Sequence, residues 1–222
     1  MYNQVNEEKK MNIIKTENLG KKIKDNVIYH DINLNMESGQ IYGFVGANGS
    51  GKTMLFRTLA GLIRPSEGRI LLNGQEYIPF EERMLSTGIV IENMNLYPDM
   101  TGFQNLKCLA KIRHSVTESD IRHAIEAVGL DSSDQRKVGK YSLGMRQKIV
   151  LAQAIMEKPA FLLLDEPTNG LDVDSVTKIH RVLLELAQGG SIVAIASHNR
   201  EDIEKVCGTT YYFDGGTVQE RN

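Results

Sequence analysis

One stretch of eight residues restricts the fold of this 222-residue chain more than any other. It fits the pattern G-x-x-x-x-G-K-[ST] in full and reads Gly46-Ala47-Asn48-Gly49-Ser50-Gly51-Lys52-Thr53. An apolar run at 41–45 precedes it, and a run with helical spacing at 54–61 follows it. The pattern forms a phosphate-binding loop when it joins a buried strand to a helix, so these flanks supply the required setting. The stretch therefore predicts a strand, a glycine-rich loop and a helix in that order.

The chemistry of this loop favours a nucleotide ligand. Glycines let successive backbone N–H groups converge on phosphate oxygens, and the following helix directs its positive end toward them. Lys52 can reach the β- and γ-phosphates, and Thr53 can offer its hydroxyl to Mg²⁺. The alternative is a glycine-rich turn that matches by accident, expected in roughly one chain in a hundred of this length. The correct flanks make that alternative rarer, so we predict that the loop binds a nucleotide.

Five short apolar runs predict the strands of an α/β domain. Several are apolar throughout, which is typical of strands buried on both faces of a parallel sheet. Stretches with helical spacing at 58–63 and 176–187 follow the first and the fourth run, and a repeated strand-then-helix order indicates an α/β core. The five runs are GQIYGFVG, GRILLNG, STGIVIE, AFLLLDE and GSIVAIASH, at 39–46, 68–74, 86–92, 160–166 and 190–198.

The middle of the chain has a helical pattern instead. Its first two predicted helices lie in GFQNLKCLAKIR and SVTESDIRHAIEAVGL. In the second, Thr117 and Asp120 resemble a capping box, and Gly129 lies where a C-terminal cap belongs. A third helix is expected from Ser142 to about Met156. We therefore predict three parts. A polar tail occupies 1–11, an ATP-binding core is formed by 12–96 and 160–222, and a helical insertion occupies 97–159.

Composition excludes several classes of protein. The net charge of −2 lacks the strong basic bias of a duplex-binding domain, so we expect no nucleic-acid partner. The low cysteine count, Cys108 and Cys207, indicates reduced intracellular thiols, and neither cysteine has the spacing of a metal ligand. No apolar run approaches the ~20 residues that a membrane-spanning helix needs. We therefore expect a cytoplasmic chain.

Two acidic residues end the fourth apolar run, where FLLL is followed by Asp165 and Glu166. An ordinary strand that reaches solvent is the alternative interpretation. A phosphate-binding loop in the same chain favours a functional pair, since such folds place a Mg²⁺-linked carboxylate at the end of a neighbouring strand. We predict that Asp165 holds Mg²⁺ together with Thr53. We predict that Glu166 polarises the attacking water as a general base.

The chain resembles the ATP-binding subunits of ABC transporters. The resemblance rests on the order of Lys52, Ser142, Asp165 and Glu166 along the chain. The similarity extends from about residue 12 to 218. The segment DEPTNGLD at 165–172 resembles the family's Walker B strand end, catalytic glutamate and D-loop. His198, in the triplet SHN, is similar to the family's switch histidine, whose role is to contact the γ-phosphate.

The resemblance implies a fold, two ligands and a reaction. The implied fold is a P-loop NTPase core with a mainly parallel sheet, an N-terminal antiparallel β portion and an inserted all-helical subdomain. The implied ligands are ATP and Mg²⁺. The implied activity is ATP hydrolysis coupled to transmembrane transport, with Lys52, Glu166 and His198 as the catalytic residues.

The segment KYSLGMRQK at 140–148 resembles the family's signature sequence, L-S-G-G-Q. Ser142 and Gly144 are kept, whereas one glycine and the glutamine are replaced. This variant resembles the branch associated with bacitracin and lantibiotic exporters. In the family, two domains close head to tail, and each nucleotide lies between one phosphate loop and the other domain's signature. The resemblance therefore implies that Ser142 and Gly144 bind ATP from a second copy.

Two departures from the family concern the ATP site. The lid glutamine that normally senses Mg²⁺ and the attacking water aligns with Glu92. A carboxylate there could still bind Mg²⁺ through water, but its added negative charge near the triphosphate would slow or retune turnover. The aromatic residue that stacks on adenine aligns near Ile23, which weakens stacking. Tyr29 is a candidate substitute for that aromatic residue.

The resemblance also implies partners. A separate transmembrane permease would dock near 92–101, with Leu96 and Tyr97 as its contacts, although both could simply pack within the lid loop. We expect a nucleotide-dependent homodimer, because this chain carries every catalytic part, and we favour export over import. A non-transport ABC ATPase acting on a regulatory or macromolecular partner is the main alternative. A small-molecule P-loop kinase would leave 165–172 unexplained.

Overall fold

The computed structural model describes residues 11–77, 85–91, 96–113 and 116–221. The predicted tail lies outside this part except for Met11. The strands described are β1 Ile13–Ile23, β2 Asn26–Ile32, β3 Asn35–Glu37, β4 Ile41–Val45, β5 Glu67–Leu72, β6 Gln75–Glu76, β7 Thr87–Val90, β8 Phe161–Asp165, β9 Ile192–Ser197, β10 Thr209–Asp214 and β11 Thr217–Arg221. The helices described are α1 Lys52–Leu59, α2 Gly102–Arg113, α3 Glu118–Ala127, α4 Leu143–Ile155, α5 Val173–Gln188 and α6 Arg200–Glu204, with a 3₁₀ turn at Val138–Lys140.

A six-stranded sheet forms the centre of the molecule, in the order β11-β10-β4-β9-β8-β7. Neighbours from β10 to β7 run parallel, and only the terminal hairpin partner β11 is antiparallel. Every residue of β9 is buried, as expected for a central strand covered on both faces. The mainly parallel sheet is therefore confirmed. The carboxyl ends of β4, β8 and β9 meet at one edge of this sheet.

A second, antiparallel sheet is built from the N-terminal strands in the order β2-β1-β5-β6, and β3 also pairs with β1. It confirms the predicted antiparallel portion. One apolar run, GRILLNG, belongs here as β5 and not in the parallel sheet. This placement is decided by the strand that the run pairs with, since β5 lies antiparallel to β1 and its Arg69 pairs across the strands with Glu17 at 2.7 Å.

Two hydrophobic clusters pack against the parallel sheet. One lies on the side of the antiparallel sheet and α1, where the rings of Phe44 and Phe56 meet edge to face with centroids 5.2 Å apart. The other joins the opposite face to α2, α3, α4 and α5. Burial of apolar surface at about 25 cal/mol per Å² fixes the sheet between these layers. The parallel sheet, whose strand β4 ends at the glycine-rich loop, is thus packed on both faces.

Helices α2, α3 and α4 lie between β7 and β8 in the chain. The predicted capping box is present, since Thr117 and Asp120 exchange hydrogen bonds at the start of α3. Gly129 has φ = 79°, which suits the predicted cap after that helix. Ser142 is the N-cap of α4. The exact division into core and helical subdomain stays a prediction.

Helix α1 is shorter than predicted, because it ends at Leu59 and does not reach 61 or 63. Gly61 adopts φ = 73°, a left-handed conformation that cannot continue a helix. Its N–H donates to the Thr58 carbonyl at 3.0 Å and closes the last turn. Across the described ranges, none of the helices has the length and apolar character that a membrane crossing requires.

Candidate phosphate-binding and hydrolytic site

The glycine-rich loop leaves the end of β4 and enters α1. Gly51 has φ = 110°, and a Cβ atom there would lie 3.0 Å from the backbone oxygen of Ile28. At Gly46 a Cβ atom would lie 2.8 Å from the Cβ of Phe213. Both positions therefore require glycine, one for its conformation and both for space. Within the loop, the N–H of Ser50 donates to the carbonyl of Ala47 at 3.2 Å.

Lys52 is buried at the start of α1 and folds back over the loop. Its Nζ donates to the carbonyl oxygens of Gly46 at 2.6 Å and Ala47 at 3.0 Å. Burial lowers the pKa of the ammonium group, and the nearby carboxylates of Glu166 and Asp165 act in the opposite direction. The loop thus holds a desolvated cation, and a polyphosphate would supply the charge partner that such a cation favours.

Ser50 supplies a test of whether the loop fits a polyphosphate with Mg²⁺. Its Oγ atom is buried, and no hydrogen-bond partner for it exists among the described residues. Buried polar atoms in native proteins nearly always have a partner. A hydroxyl inside a glycine-rich loop, two positions before Lys52, would gain a partner if a phosphate oxygen were bound there. The loop therefore fits the predicted ligand.

The predicted Mg²⁺ residues are in contact. The Thr53 hydroxyl donates to Asp165 Oδ2 at 2.5 Å, joining the first turn of α1 to the end of β8. Proteins hold Mg²⁺ through one or two oxygen ligands of their own plus substrate phosphates, with water completing the shell. One hydroxyl and one carboxylate beside a phosphate-binding loop are such a set.

Glu166 and His198 are brought together although they lie 32 positions apart. The parallel strands β8 and β9 end at the same edge, and each residue follows its strand. Glu166 Oε1 accepts from the backbone N–H of His198 at 2.9 Å and lies 2.8 Å from its ring Nδ1. Glu166 has φ = 50°, and its own N–H donates to the carbonyl of Ala196 at 2.8 Å. The carboxylate that follows this left-handed turn therefore contacts both the backbone and the ring of His198.

The signature segment lies apart from this cluster. The exposed Ser142 hydroxyl accepts from the Met145 N–H at 3.2 Å and caps α4. Leu143 beside it is 65% exposed. A Cβ atom at Gly144 would lie 3.3 Å from the carbonyl oxygen of Gly170, so glycine allows α4 to approach the D-loop. In the described ranges, no hydrogen bond joins Ser142 to the glycine-rich loop.

The residues predicted near the adenine base and in the lid differ in their surroundings. Glu92 lies outside the described residues. Ile23 is largely exposed at the end of β1. Tyr29 cannot replace the missing aromatic residue, because it is fully buried and its hydroxyl lies 2.5 Å from that of Thr58. The suggestion that Tyr29 stacks on the base is therefore wrong.

The two proposed permease contacts differ in exposure. Leu96 packs against the hydrophobic cluster of the helical layer, as its alternative interpretation expected. Tyr97 is 60% exposed, and its backbone N–H donates to the side chain of Asn105. Only Tyr97 of this pair is available to a partner.

One residue at the site was missed from the sequence. Ser197, the last residue of β9, donates its hydroxyl to Glu166 Oε2 at 3.0 Å. The available signal was its position, since it ends a buried strand directly before His198. A serine at that place is otherwise unremarkable, because a hydroxyl at a strand end usually bonds to nearby backbone.

A phosphate loop, a paired hydroxyl and carboxylate, and a linked glutamate and histidine thus share one sheet edge. Residues 29–169 also match the family model described as ABC transporter. The chain belongs to the ABC transporter family. The protein YybJ of Bacillus subtilis (strain 168), an uncharacterized ABC transporter ATP-binding protein, is 44% identical over 207 residues, which are 93% of this chain and 95% of YybJ.

Two further similarities extend this assignment. The bacitracin transport ATP-binding protein BcrA of Enterococcus faecalis is 37% identical over 213 residues, which are 95% of this chain and 69% of BcrA. The dimeric structure of the bacterial ABC transporter cassette MJ0796 superposes with a TM-score of 0.84 at 22% identity and covers 94% of this chain and 98% of that one. The likeness to MJ0796 shows that the fold is shared.

These similarities decide several of the predictions. The family, the fold class and the resemblance to the bacitracin and lantibiotic branch are confirmed. At the level of the family, the predicted ATPase of a transport system, with ATP and Mg²⁺, is confirmed as well. The roles of the individual site residues stay predictions.

Proposed function

We propose that this chain binds and hydrolyses ATP to power transport through a separate membrane subunit. The observation that carries the proposal is the arrangement at the sheet edge, where Thr53 contacts Asp165 and Glu166 contacts His198. The Thr53–Asp165 contact is suited to holding a divalent cation, and the Glu166–His198 contact is suited to accepting a proton from water. An ATP-binding protein without hydrolysis would need only the first.

Each residue has a role in the proposed reaction. The loop N–H groups and Lys52 bind the phosphates, and Thr53 and Asp165 would hold Mg²⁺. When bound, Mg²⁺ neutralises charge that develops on the phosphate oxygens. Glu166 accepts a proton from the attacking water, a general-base role worth typically 10²–10⁴ in rate. His198 orients Glu166 through the contact already described, and we assign it the additional role of contacting the γ-phosphate.

A second copy completes the site in this proposal. Ser142 begins a 13-residue helix and is exposed, so its hydroxyl and the first free N–H groups of α4 can receive a phosphate from outside the chain. Binding of ATP would then favour closure of the two copies, and hydrolysis would remove the phosphate that joins them. Glu92 is assigned to the lid of this site.

The proposed membrane partner is a permease, and the proposed direction is export. The support is the similarity to BcrA, whose name describes bacitracin transport. Tyr97 is the exposed aromatic residue that we assign to the docking surface. A chain bound to such a partner would lie at the inner face of the cell membrane.

The test of hydrolysis and closure is Glu166→Gln, which keeps the size of the side chain and removes its basicity. We expect turnover to fall by about 10²–10⁴ and an ATP-bound dimer to accumulate in size-exclusion chromatography with Mg²⁺. Lys178→Ala, an exposed change on α5, is the control and should behave like wild type. A monomeric Glu166→Gln chain at saturating ATP would contradict the proposal.

A non-transport ABC ATPase is the alternative function. Co-purification separates the two, because the transport proposal expects an integral membrane protein to accompany the chain from membranes. Retention that depends on Tyr97 would support the transport proposal. Association with a regulatory or macromolecular partner alone would favour the alternative.

A further inference from the structure

The hydrogen-bonding directions at Ser197 are defined by its neighbours. Its Oγ accepts from the backbone N–H of Asn199 at 3.0 Å and lies 3.0 Å from Glu166 Oε2. A backbone N–H can only donate, and an ionised carboxylate can only accept. The single hydroxyl proton of Ser197 must therefore point at Glu166.

The two oxygens of the Glu166 carboxylate are held from different directions. Oε1 is held by the backbone and the ring of His198. Oε2 is held by Ser197, and the described residues offer it no other hydrogen-bonding partner. Two anchors on two oxygens fix the plane of the carboxylate as well as its position. Removal of either anchor would leave the group free to rotate.

Ser197 is well suited to be an anchor because it is rigid. It is 2% exposed and ends β9, the strand between β4 and β8. Its backbone pairs with Val45, the residue directly before the glycine-rich loop. Ser197 therefore ties the orientation of Glu166 to the same sheet edge that carries the phosphate loop.

We propose that Ser197 is a positioning residue for hydrolysis, which fixes the Glu166 carboxylate so that a defined lone pair faces the attacking water. This inference rests on the proposed role of Glu166 as the general base. Ser197 touches neither the phosphates nor the water in this account, and it acts through Glu166. A displacement of a general base by about 0.5–1 Å lowers the reaction rate strongly, so a rigid neighbour such as Ser197 can affect the rate through Glu166.

A competing explanation gives Ser197 a purely structural role. By accepting from Asn199, it also stabilises the turn after β9, and its loss would disturb His198 and the start of α6. The two explanations predict different coupling. If Ser197 positions Glu166, Ser197→Ala should no longer change the rate of hydrolysis once the Glu166 base is removed. If Ser197 only supports His198, Ser197→Ala should still change that rate without the base.

The first experiment compares Ser197→Ala, Ser197→Thr and Ser191→Ala in steady-state ATP hydrolysis. Ser191 is the matched control, because it is a buried serine directly before β9, at the opposite end of the strand from Ser197. Its hydroxyl donates to the Pro159 carbonyl at 2.7 Å. We expect Ser197→Ala to lower kcat by about tenfold to a hundredfold and to leave KM for ATP within about twofold. Ser197→Thr should restore the rate, and Ser191→Ala should match wild type.

The second experiment is a double-mutant cycle in single-turnover hydrolysis, and it remains informative if the threonine variant does not fold. We expect Ser197→Ala to have no further effect in the Glu166→Gln background and to keep its effect in the His198→Ala background. An effect that persists without Glu166 and disappears without His198 would overturn the proposal in favour of the structural role.

The failure of this inference can be told from that of the proposed function. Wild-type turnover of Ser197→Ala beside an inactive Glu166→Gln would overturn the role of Ser197 alone. Wild-type turnover of Glu166→Gln would overturn the proposed role of Glu166 itself. A parallel rise of KM in Ser197→Ala would also contradict positioning, because binding of ATP would then be the affected step.

Discussion

The glycine-rich loop and the signature segment are two phosphate-directed regions of one chain, and they are built in opposite ways. The loop region is internally bonded: Lys52 donates to the loop, Thr53 to Asp165, and Glu166 meets His198. The signature region turns outward, with an exposed Ser142 and a 65% exposed Leu143. The first region brings together the groups suited to hydrolysis, and the second presents an exposed hydroxyl at the start of α4. The difference fits the proposal that the two regions are halves of a site and belong to different copies.

Among the variants that test this comparison, Lys52→Ala should show the largest loss of activity. We expect Lys52→Ala to lose both ATP binding and turnover, the latter by about 10²–10³ or more, because a buried cation beside the phosphates is removed. Binding of a fluorescent ATP analogue and phosphate release would measure the two losses. Lys178→Ala is the exposed control. Normal ATP binding by Lys52→Ala would contradict the assignment of the loop region to phosphate binding.

Removal of the Ser142 hydroxyl should separate the two regions. We expect Ser142→Ala to keep ATP affinity of the monomer within about twofold, because the loop region is untouched, while turnover falls by about a hundredfold or more. Sedimentation of the ATP-bound chain would report dimer formation, which should be lost. Weakened ATP binding by the Ser142→Ala monomer would show that Ser142 acts on its own chain's nucleotide, against the comparison.

A smaller effect is expected at Tyr29, which supports the loop region from behind through Thr58 of α1. Burial raises the pKa of Tyr29 to about 12, above the value near 10 of an unfolded chain. The unfolded state therefore releases its proton first, and the free energy of unfolding falls as pH rises from about 10 to 12. Tyr29→Phe should reduce that loss by about 1 kcal/mol at pH 11.

Urea unfolding at pH 8 and pH 11 measures this prediction. At pH 8, Tyr29→Phe should cost about 0.5–1.5 kcal/mol through the lost hydrogen bond. Tyr97→Phe is the control, since its side chain is mostly exposed and should change neither value. An equal alkaline loss in Tyr29→Phe and wild type would show that Tyr29 is not the group that titrates.

Much of the loop region could be predicted from the sequence because its determinants are local. The spacing of Gly46 to Thr53 sets backbone conformation directly, and the strand FLLL places Asp165 at a sheet edge. The capping box at Thr117 and Asp120 is likewise a contact between near neighbours. Features that depend on a few adjacent residues are fixed by short-range geometry.

Other features depend on long-range packing and could not be predicted. The burial of Tyr29 depends on its contact with Thr58, which lies 29 positions away. The placement of GRILLNG in the antiparallel sheet depends on which strand it meets, and an apolar run alone does not settle that. The anchor role of Ser197 depends on a left-handed turn at Glu166 that no sequence pattern specifies.

The most direct measurement of the central claim mixes two inactive variants, Lys52→Ala and Ser142→Ala, and follows ATP hydrolysis. Each variant alone should be inactive, because both sites of any dimer that it forms are damaged. In a mixed dimer, the intact loop of the Ser142→Ala chain faces the intact Ser142 of the other chain, so one site is complete. A 1:1 mixture should therefore regain turnover well above that of either variant alone, reaching about a quarter of wild-type turnover if the chains pair at random. A mixture as inactive as its components, despite dimer formation, would contradict the account.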